Sequence, residues 1–140
     1  MPPPPDPEVS WQRRKRAYEG WLSHPKAFGL VVVLYHEIVA YAIVSVHGSD
    51  VLDDTWVGGE EIAELQTLAV AGEARSRGIG SELLRRVERE VMDRGIGEMI
   101  VASVTTNDHA VSFYRQRGYT SYLTYMYSQL SGVPADPDSW

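Results

Sequence analysis

The alternation of apolar and polar positions divides the chain into a run of short elements. Between Glu8 and Ser23 the bulky residues Trp11, Tyr18, Trp21 and Leu22 recur at helical spacing, and His24-Pro25 supplies a stop. This spacing predicts an amphipathic helix. Phe28 to Tyr35 and Ile38 to His47 are rich in Val, Ile, Leu and Tyr with only His36-Glu37 between them, which predicts an antiparallel hairpin. Gly48 to Gly59 mixes Gly, Ser and Asp around Trp56 and reads as an acidic loop, followed by a third strand over Ile62 to Val70. Ile79, Leu83, Leu84, Val87, Val91 and Met92 then form one helical stripe opposite Glu82, Arg86, Glu90 and Arg94, and Gly95 closes that helix. Met99 to Val104 reads as a buried strand. Asn107 or Asp108 caps a short helix ending at Gly118, and Tyr119 to Ser128 alternates as a last strand.

The order helix, strand, strand, strand, helix, strand, helix, strand predicts an α/β (α+β) fold. Its central sheet is mixed and mostly antiparallel, with flanking helices and helical crossovers between parallel neighbours. Consecutive prolines fix φ and remove backbone donors, so residues 1–7 are expected to be an extended tail. Residues 8–131 are expected to form a single domain and 132–140 a loose end.

Composition narrows the chemistry. The 140 residues are 44% hydrophobic, ordinary for one domain with its own core. The net charge of -6 disfavours a nucleic-acid partner, whose phosphates need an excess of Lys and Arg on the docking face. The run Arg13-Arg14-Lys15-Arg16 does not change this, because four consecutive charges point around a helix and not along one face. With no cysteine, disulfides, zinc-thiolate sites and a cysteine acyl-enzyme are excluded. His24, His36, His47 and His109 show no metal-ligand spacing, so no metal is expected. The first residues lack a basic start followed by an apolar core, and no apolar run approaches the roughly 20 residues that span a bilayer. The expectation is a soluble cytoplasmic protein with no membrane partner.

The densest candidate chemistry is the stretch AGEARSRGIGS between the third strand and the long helix. Gly78 and Gly80 let backbone amides approach an anion, the helix adds the positive end of its dipole, and Arg75 and Arg77 add fixed charge. A dinucleotide fingerprint would need a glycine where Leu83 stands, and a Walker loop would need a lysine that this turn lacks. Taken alone, the turn is equally compatible with an ordinary helix start flanked by solvated arginines.

Arg75-Ser76-Arg77-Gly78-Ile79-Gly80 matches the Arg/Gln-x-x-Gly-x-Gly/Ala signature, and at these residues the chain resembles the GNAT superfamily of N-acetyltransferases. The context agrees: AELQTLAV precedes the signature, an amphipathic helix follows it, and NDHAVSFYRQRGY comes after the next strand. The likeness runs from about Ala27 to Tyr127. It implies that acetyl-CoA is the donor, with its pyrophosphate held by the amides of Arg75, Ser76, Arg77, Gly78, Ile79, Gly80 and Ser81. Its pantetheine arm would lie along the backbone of Leu68, Ala69 and Val70, where parallel strands splay apart, and would be contacted by Asn107. Asn107 is equally a helix cap.

The reaction so implied is transfer of the acetyl group to a primary amine in a ternary complex. The attacking amine must be unprotonated and the leaving thiolate must be given a proton. By the resemblance Glu64, eleven positions before Arg75, is the base, directly or through water, with Glu61 in reserve. Both are also compatible with a solvated strand entrance. Tyr114 matches the family's tyrosine and is the expected acid, since an ordinary tyrosine (pKa about 10) holds its proton more firmly than a thiol (about 8.5). An amide near Leu68 or Val70 would meet the oxyanion.

Acceptor contacts are expected from the first helix, the Gly48 to Gly59 loop and the last strand. Asp50, Asp53 and Asp54 favour a cationic amine, and Tyr122 and Tyr125 are candidate lining. By this resemblance, the family's usual first strand and helix are expected to be missing before Glu8. An open hairpin edge invites a second copy, so a homodimer is expected, with exchange of the last strand as one route. The alternative to an enzyme is a non-catalytic acyl-CoA-binding sensor.

Overall fold

The computed structural model describes residues 6–48, 59–102, 108–122 and 126–132. The chain forms two compact units, residues 1–102 and 103–140.

In the first unit, helix α1 spans Pro7–Trp21. The Asp6 carboxylate accepts the Glu8 amide at 2.9 Å, and Pro7 occupies the first turn, where a missing N–H costs nothing. The helix is less amphipathic than its spacing predicts, because none of its residues is buried. Arg13 to Arg16 sweep charge around the axis, so no face stays wholly apolar. Tyr18 and Trp21 still pack on each other, with ring centroids 5.6 Å apart.

Strands β1 (Phe28–Leu34) and β2 (Glu37–Gly48) form the hairpin. Its turn lies one residue earlier than expected, at Tyr35-His36, with Leu34 paired to Glu37. Both turn residues have positive φ, 50° and 70°, the backbone of a two-residue turn that matches the twist of its strands. Strand β3 (Glu61–Val70) pairs antiparallel with β2, and β4 (Met99–Val101) pairs parallel with β3, giving the order β1-β2-β3-β4. The α/β class and the mostly antiparallel mixed sheet are as predicted.

Register assigns the two faces. Ile43 opposes Thr67 and Val44 opposes Leu65, so Gln66 is an extra residue in β3, a β-bulge. One face carries Ala42, Val44, Val46, Ala63 and Leu65, all buried. Helix α2 (Ile79–Asp93) covers this face with the buried residues Leu83, Leu84, Val87 and Val91. Arg94, just past its end, fixes the packing. Its guanidinium lies 4.6 Å from the centroid of the Phe28 ring, donates to the carbonyls of Lys26 and Ala27, and pairs with Glu90 at 2.8 Å. Met92 departs from the predicted stripe and is 63% exposed. Adjacent helical residues are about 100° apart, and Val91 takes the inward position. Gly95 (φ 81°) ends the helix in a Schellman motif, with Gly95 N–H to the Met92 carbonyl and Ile96 N–H to that of Val91. The opposite sheet face carries Tyr41, Ile43, Ser45 and His47, and there Tyr41 shares a hydrogen bond with Tyr18 of α1.

In the second unit, α3 (Asp108–Gln116) ends at Gly118 (φ 92°) in the same way, with Gly118 N–H to the Arg115 carbonyl and Tyr119 N–H to that of Tyr114. The predicted last strand is absent from the described residues 119–122 and 126–132. Met126 is 94% exposed. Alternation makes a strand only where a ladder satisfies its amides, and no such ladder forms among the described residues of this stretch.

Candidate functional site

Strand β3 and the start of α2 enclose the glycine-rich turn. After Val70 the chain makes one 3-10 turn, Gly72–Ala74, whose last residue is buried and anchors the segment. Arg75 is extended, and its Nε donates to the Val70 carbonyl at 3.3 Å, tying the turn to the end of β3. Ser76 (φ 65°) and Gly78 (φ 77°) are both left-handed, and Gly78 is the N-cap of α2. A glycine N-cap offers no side chain to the first turn, and α2 has no side-chain cap hydrogen bond. The Arg75 amide donates to the Gly72 carbonyl at 3.3 Å, and the positive end of the α2 dipole favours an anion beside the rest of the turn. Arg75, Ser76 and Arg77 are exposed, and Ile79, Gly80 and Ser81 are half-buried. Glu82, the acid of the first turn, is held by Arg85 at 2.6 Å and Arg86 at 3.2 Å.

Among the described residues the parallel ladder pairs three residues of β3. Its register runs Ala63 to Met99, Glu64 to Ile100 and Leu65 to Val101, whereas β3 continues to Val70. Leu68, Ala69 and Val70 pair with Ala42, Tyr41 and Ala40 of β2. An open hollow of about 230 Å³ near the same end is lined by residues including Ile38, Tyr41, Ala69 and Ala71. It lies over the β2–β3 pairing.

Glu64 is on the face that carries Ser45 and His47, directly opposite Ser45. His47 Nε2 lies 3.2 Å from Glu64 Oε1 and 2.8 Å from Ser45 Oγ, and Gln66 Nε2 donates to Ser45 Oγ at 3.0 Å. Ser45 is 1% exposed, so this row is fastened inside the sheet. Sequence reading missed Ser45, His47 and Gln66. Their signal was polar residues two apart in each of two neighbouring apolar strands, which becomes a cluster only once the register is known.

Glu61 is engaged differently. Lys26 Nζ donates to its Oε1 at 2.6 Å and His24 Nε2 lies 3.3 Å from its Oε2. The hydrogen bond from Lys26, aided by the charges of Lys26 and His24 and opposed by desolvation, holds its carboxyl below the ordinary glutamate range. A carboxylate so held is a weak base.

In the second unit, Tyr114 packs edge-to-face against Phe113 and against Tyr119, with centroids 5.1 and 5.6 Å away. Burial pushes its hydroxyl pKa up. Adjacent Phe113 faces Arg117, whose guanidinium is 3.7 Å from the ring centroid. Tyr122 is exposed. Asn107, Asp50, Asp53, Asp54 and Tyr125 lie outside the described residues. Among the described residues, no group of His, Asp and Glu is arranged to hold a metal, and no helix is long and apolar enough to cross a membrane.

A mixed sheet whose third strand leads into a glycine-capped helix start defines an α/β domain. Residues 2–119 match the acetyltransferase (GNAT) family, and the chain belongs to that family. Among curated proteins it is 28% identical to N-alpha-acetyltransferase 60 of Xenopus tropicalis over 85% of this chain, and 29% identical to that of Danio rerio over 77%. The chain spans about half the length of these relatives, 54% and 46% respectively. Two solved structures share the fold. A putative acetyl transferase from Pyrococcus furiosus matches with TM-score 0.77 and 24% identity, over 93% of this chain and 83% of that one. An aminoglycoside N-acetyltransferase in complex with CoA matches with TM-score 0.67 and 16% identity, over 89% and 92%.

Proposed function

We propose that this chain moves the acetyl group of acetyl-CoA directly to a primary, cationic amine in a ternary complex. The observation that carries the reading is the Gly78-capped start of α2, placed shortly after the end of β3. In this reading the turn of residues 75–81 takes the pyrophosphate, and the backbone of Leu68, Ala69 and Val70 takes the amide-bearing pantetheine arm by strand-like hydrogen bonds. Asn107 supplies a further contact to that arm. Residues 8–131 act together as the catalytic domain.

Glu64 takes the proton of the incoming ammonium. The amine lone pair then attacks the thioester carbon, the C–N bond forms, the C–S bond breaks, and Tyr114 protonates the departing thiolate. Glu64 is preferred to Glu61 because the Lys26 and His24 contacts occupy the latter. Burial keeps the Tyr114 proton in place until a thiolate develops.

Release of free thiol from acetyl-CoA, measured across peptide N-termini, lysine, polyamines and aminoglycosides, tests the activity. Glu64→Gln and Tyr114→Phe should each lower turnover by about 10²- to 10⁴-fold. Unchanged turnover in both variants removes these roles. Firm CoA binding with no thiol release from any amine would make the chain a binding module instead.

The partner reading is a second copy of this chain, paired along β1. That strand is an edge of the sheet among the described residues, contains neither proline nor charge, and exposes Val31 (59%) and Val33 (54%). Sedimentation of the wild type against Val31→Lys checks it, and a wild type that is monomeric at micromolar concentration refutes it.

A further inference from the structure

Nothing in the function proposed above requires a histidine, yet His47 is built into the candidate base. Its Nε2 is within hydrogen-bond reach of two oxygens, Glu64 Oε1 at 3.2 Å and Ser45 Oγ at 2.8 Å. A carboxylate can only accept. If Nε2 were bare, its lone pair would face the carboxylate across 3.2 Å, a repulsive contact. The proton therefore belongs on Nε2, donated toward Glu64 and shared with the serine oxygen.

Ser45 has little freedom to evade this arrangement. It is almost fully buried and sits directly across the β2–β3 ladder from Glu64. Gln66 donates to its oxygen, which leaves the hydroxyl one further lone pair for the His47 N–H and a proton of its own. Gln66, two residues on from Glu64, lies on the same face by strand alternation and so reaches Ser45.

We infer that His47 is a positioning residue for Glu64: its Nε2–H holds Oε1, which fixes the carboxylate plane and leaves Oε2 as the oxygen that takes the acceptor's proton. The inference rests on the reading of Glu64 as base. It adds a determinant that lies on β2, seventeen residues before the base and outside the glycine-rich turn.

Three measurements test it. Nitrogen NMR of the imidazole in the ligand-free protein, with the His47 signal assigned by its loss in His47→Gln, should show the neutral ring protonated at Nε2. A bare Nε2 overturns the inference. In steady-state kinetics with acetyl-CoA and an amine that gives turnover, His47→Ala should lower kcat about 10- to 30-fold, the worth of one hydrogen bond to a charged group in a partly exposed setting. KM for acetyl-CoA should be unchanged. His47→Gln, whose amide can place an N–H where Nε2 was, should recover most of the loss; recovery no better than alanine's refutes the donor role.

Coupling supplies a readout that general destabilisation would not move. In a Glu64→Gln background, His47→Ala should cost no more than about twofold, because the group it positions is already gone. Losses that multiply overturn the inference. A wild type that releases no thiol with any amine sinks the function reading itself, whereas turnover that His47→Ala leaves intact sinks only this one.

Discussion

Replacing Gly78 by alanine is a direct probe of the turn. Gly78 has φ 77° and a Cβ built there would meet nothing within 4 Å, so the perturbation is conformational and not steric crowding. Holding a residue with a Cβ in the left-handed region costs about 1–2 kcal/mol. Alanine also reduces the freedom of the unfolded chain, which favours folding by about 0.4–1 kcal/mol. Gly72→Ala isolates the two contributions, because Gly72 has equally open surroundings and no positive φ. The unfolded-chain contribution is common to both variants and cancels. Gly78→Ala should therefore be less stable than Gly72→Ala by about 1–2 kcal/mol. For a chain of this length the gap is about 3–8 °C in Tm. Urea denaturation with a common m-value measures the gap, and titration with CoA reads the function. Affinity should fall in Gly78→Ala, whose turn must strain or move its amides, and hold in Gly72→Ala. Equal stability of the two variants would refute the left-handed cap, and equal CoA affinity would refute its role as the pyrophosphate cradle.

Other consequences can be checked alongside it. Arg94→Ala removes two carbonyl contacts, the Glu90 pair and the stacking on Phe28, and should destabilise by about 1–3 kcal/mol in chemical denaturation. Arg94→Lys should recover little, since an ammonium cannot make the planar set of contacts. Glu61 has a lowered pKa when folded, so its pairing stabilises above the ordinary glutamate value of about 4.3 and is lost as pH falls through the lower, folded value. Stability measured from pH 6 down to pH 3 should fall less steeply in Glu61→Gln, and identical slopes would contradict the pairing. If Tyr114 is the acid, activity should decline on the alkaline side only above the ordinary tyrosine value of about 10, because burial raises its pKa. A decline centred below that value would point to another group.

The parts of the molecule legible in the sequence were those decided locally. The stripe of α2 and its closing Gly95 follow from residues within a few turns of each other, and so does the glycine-capped turn before it. What failed needed information from elsewhere in the chain. Tyr35 and His36 give no hint of the positive φ they adopt; the short turn is set by the register of β1 on β2. The stretch from Tyr119 to Ser128 has the alternation of a strand, but alternation does not supply a neighbour. Glu64 could be singled out from its spacing to Arg75 by family likeness, whereas Ser45, His47 and Gln66 could not. Two of these lie on another strand and the third on a bulge, and only the paired sheet assembles them. Met92 was misplaced because Val91 and Met92 compete for one inward position, and sequence does not say which of them wins.

The extra residue at Gln66 acts as a phase break in β3. Upstream of it, side-chain direction is counted from Glu61 and governs the half of the strand that carries the carboxylate. Downstream, the count restarts and governs the half that leads to the glycine turn. The two halves can thus tolerate change independently: a substitution that shifts twist in residues 61–65 need not rotate residues 67–70. Removing Gln66 would leave Leu65 opposite Val44 and Thr67 opposite Ile43 in unbroken alternation, so both halves would keep their faces. A single-residue deletion there should therefore straighten the ladder and spare the fold, while costing the hydrogen bond to Ser45.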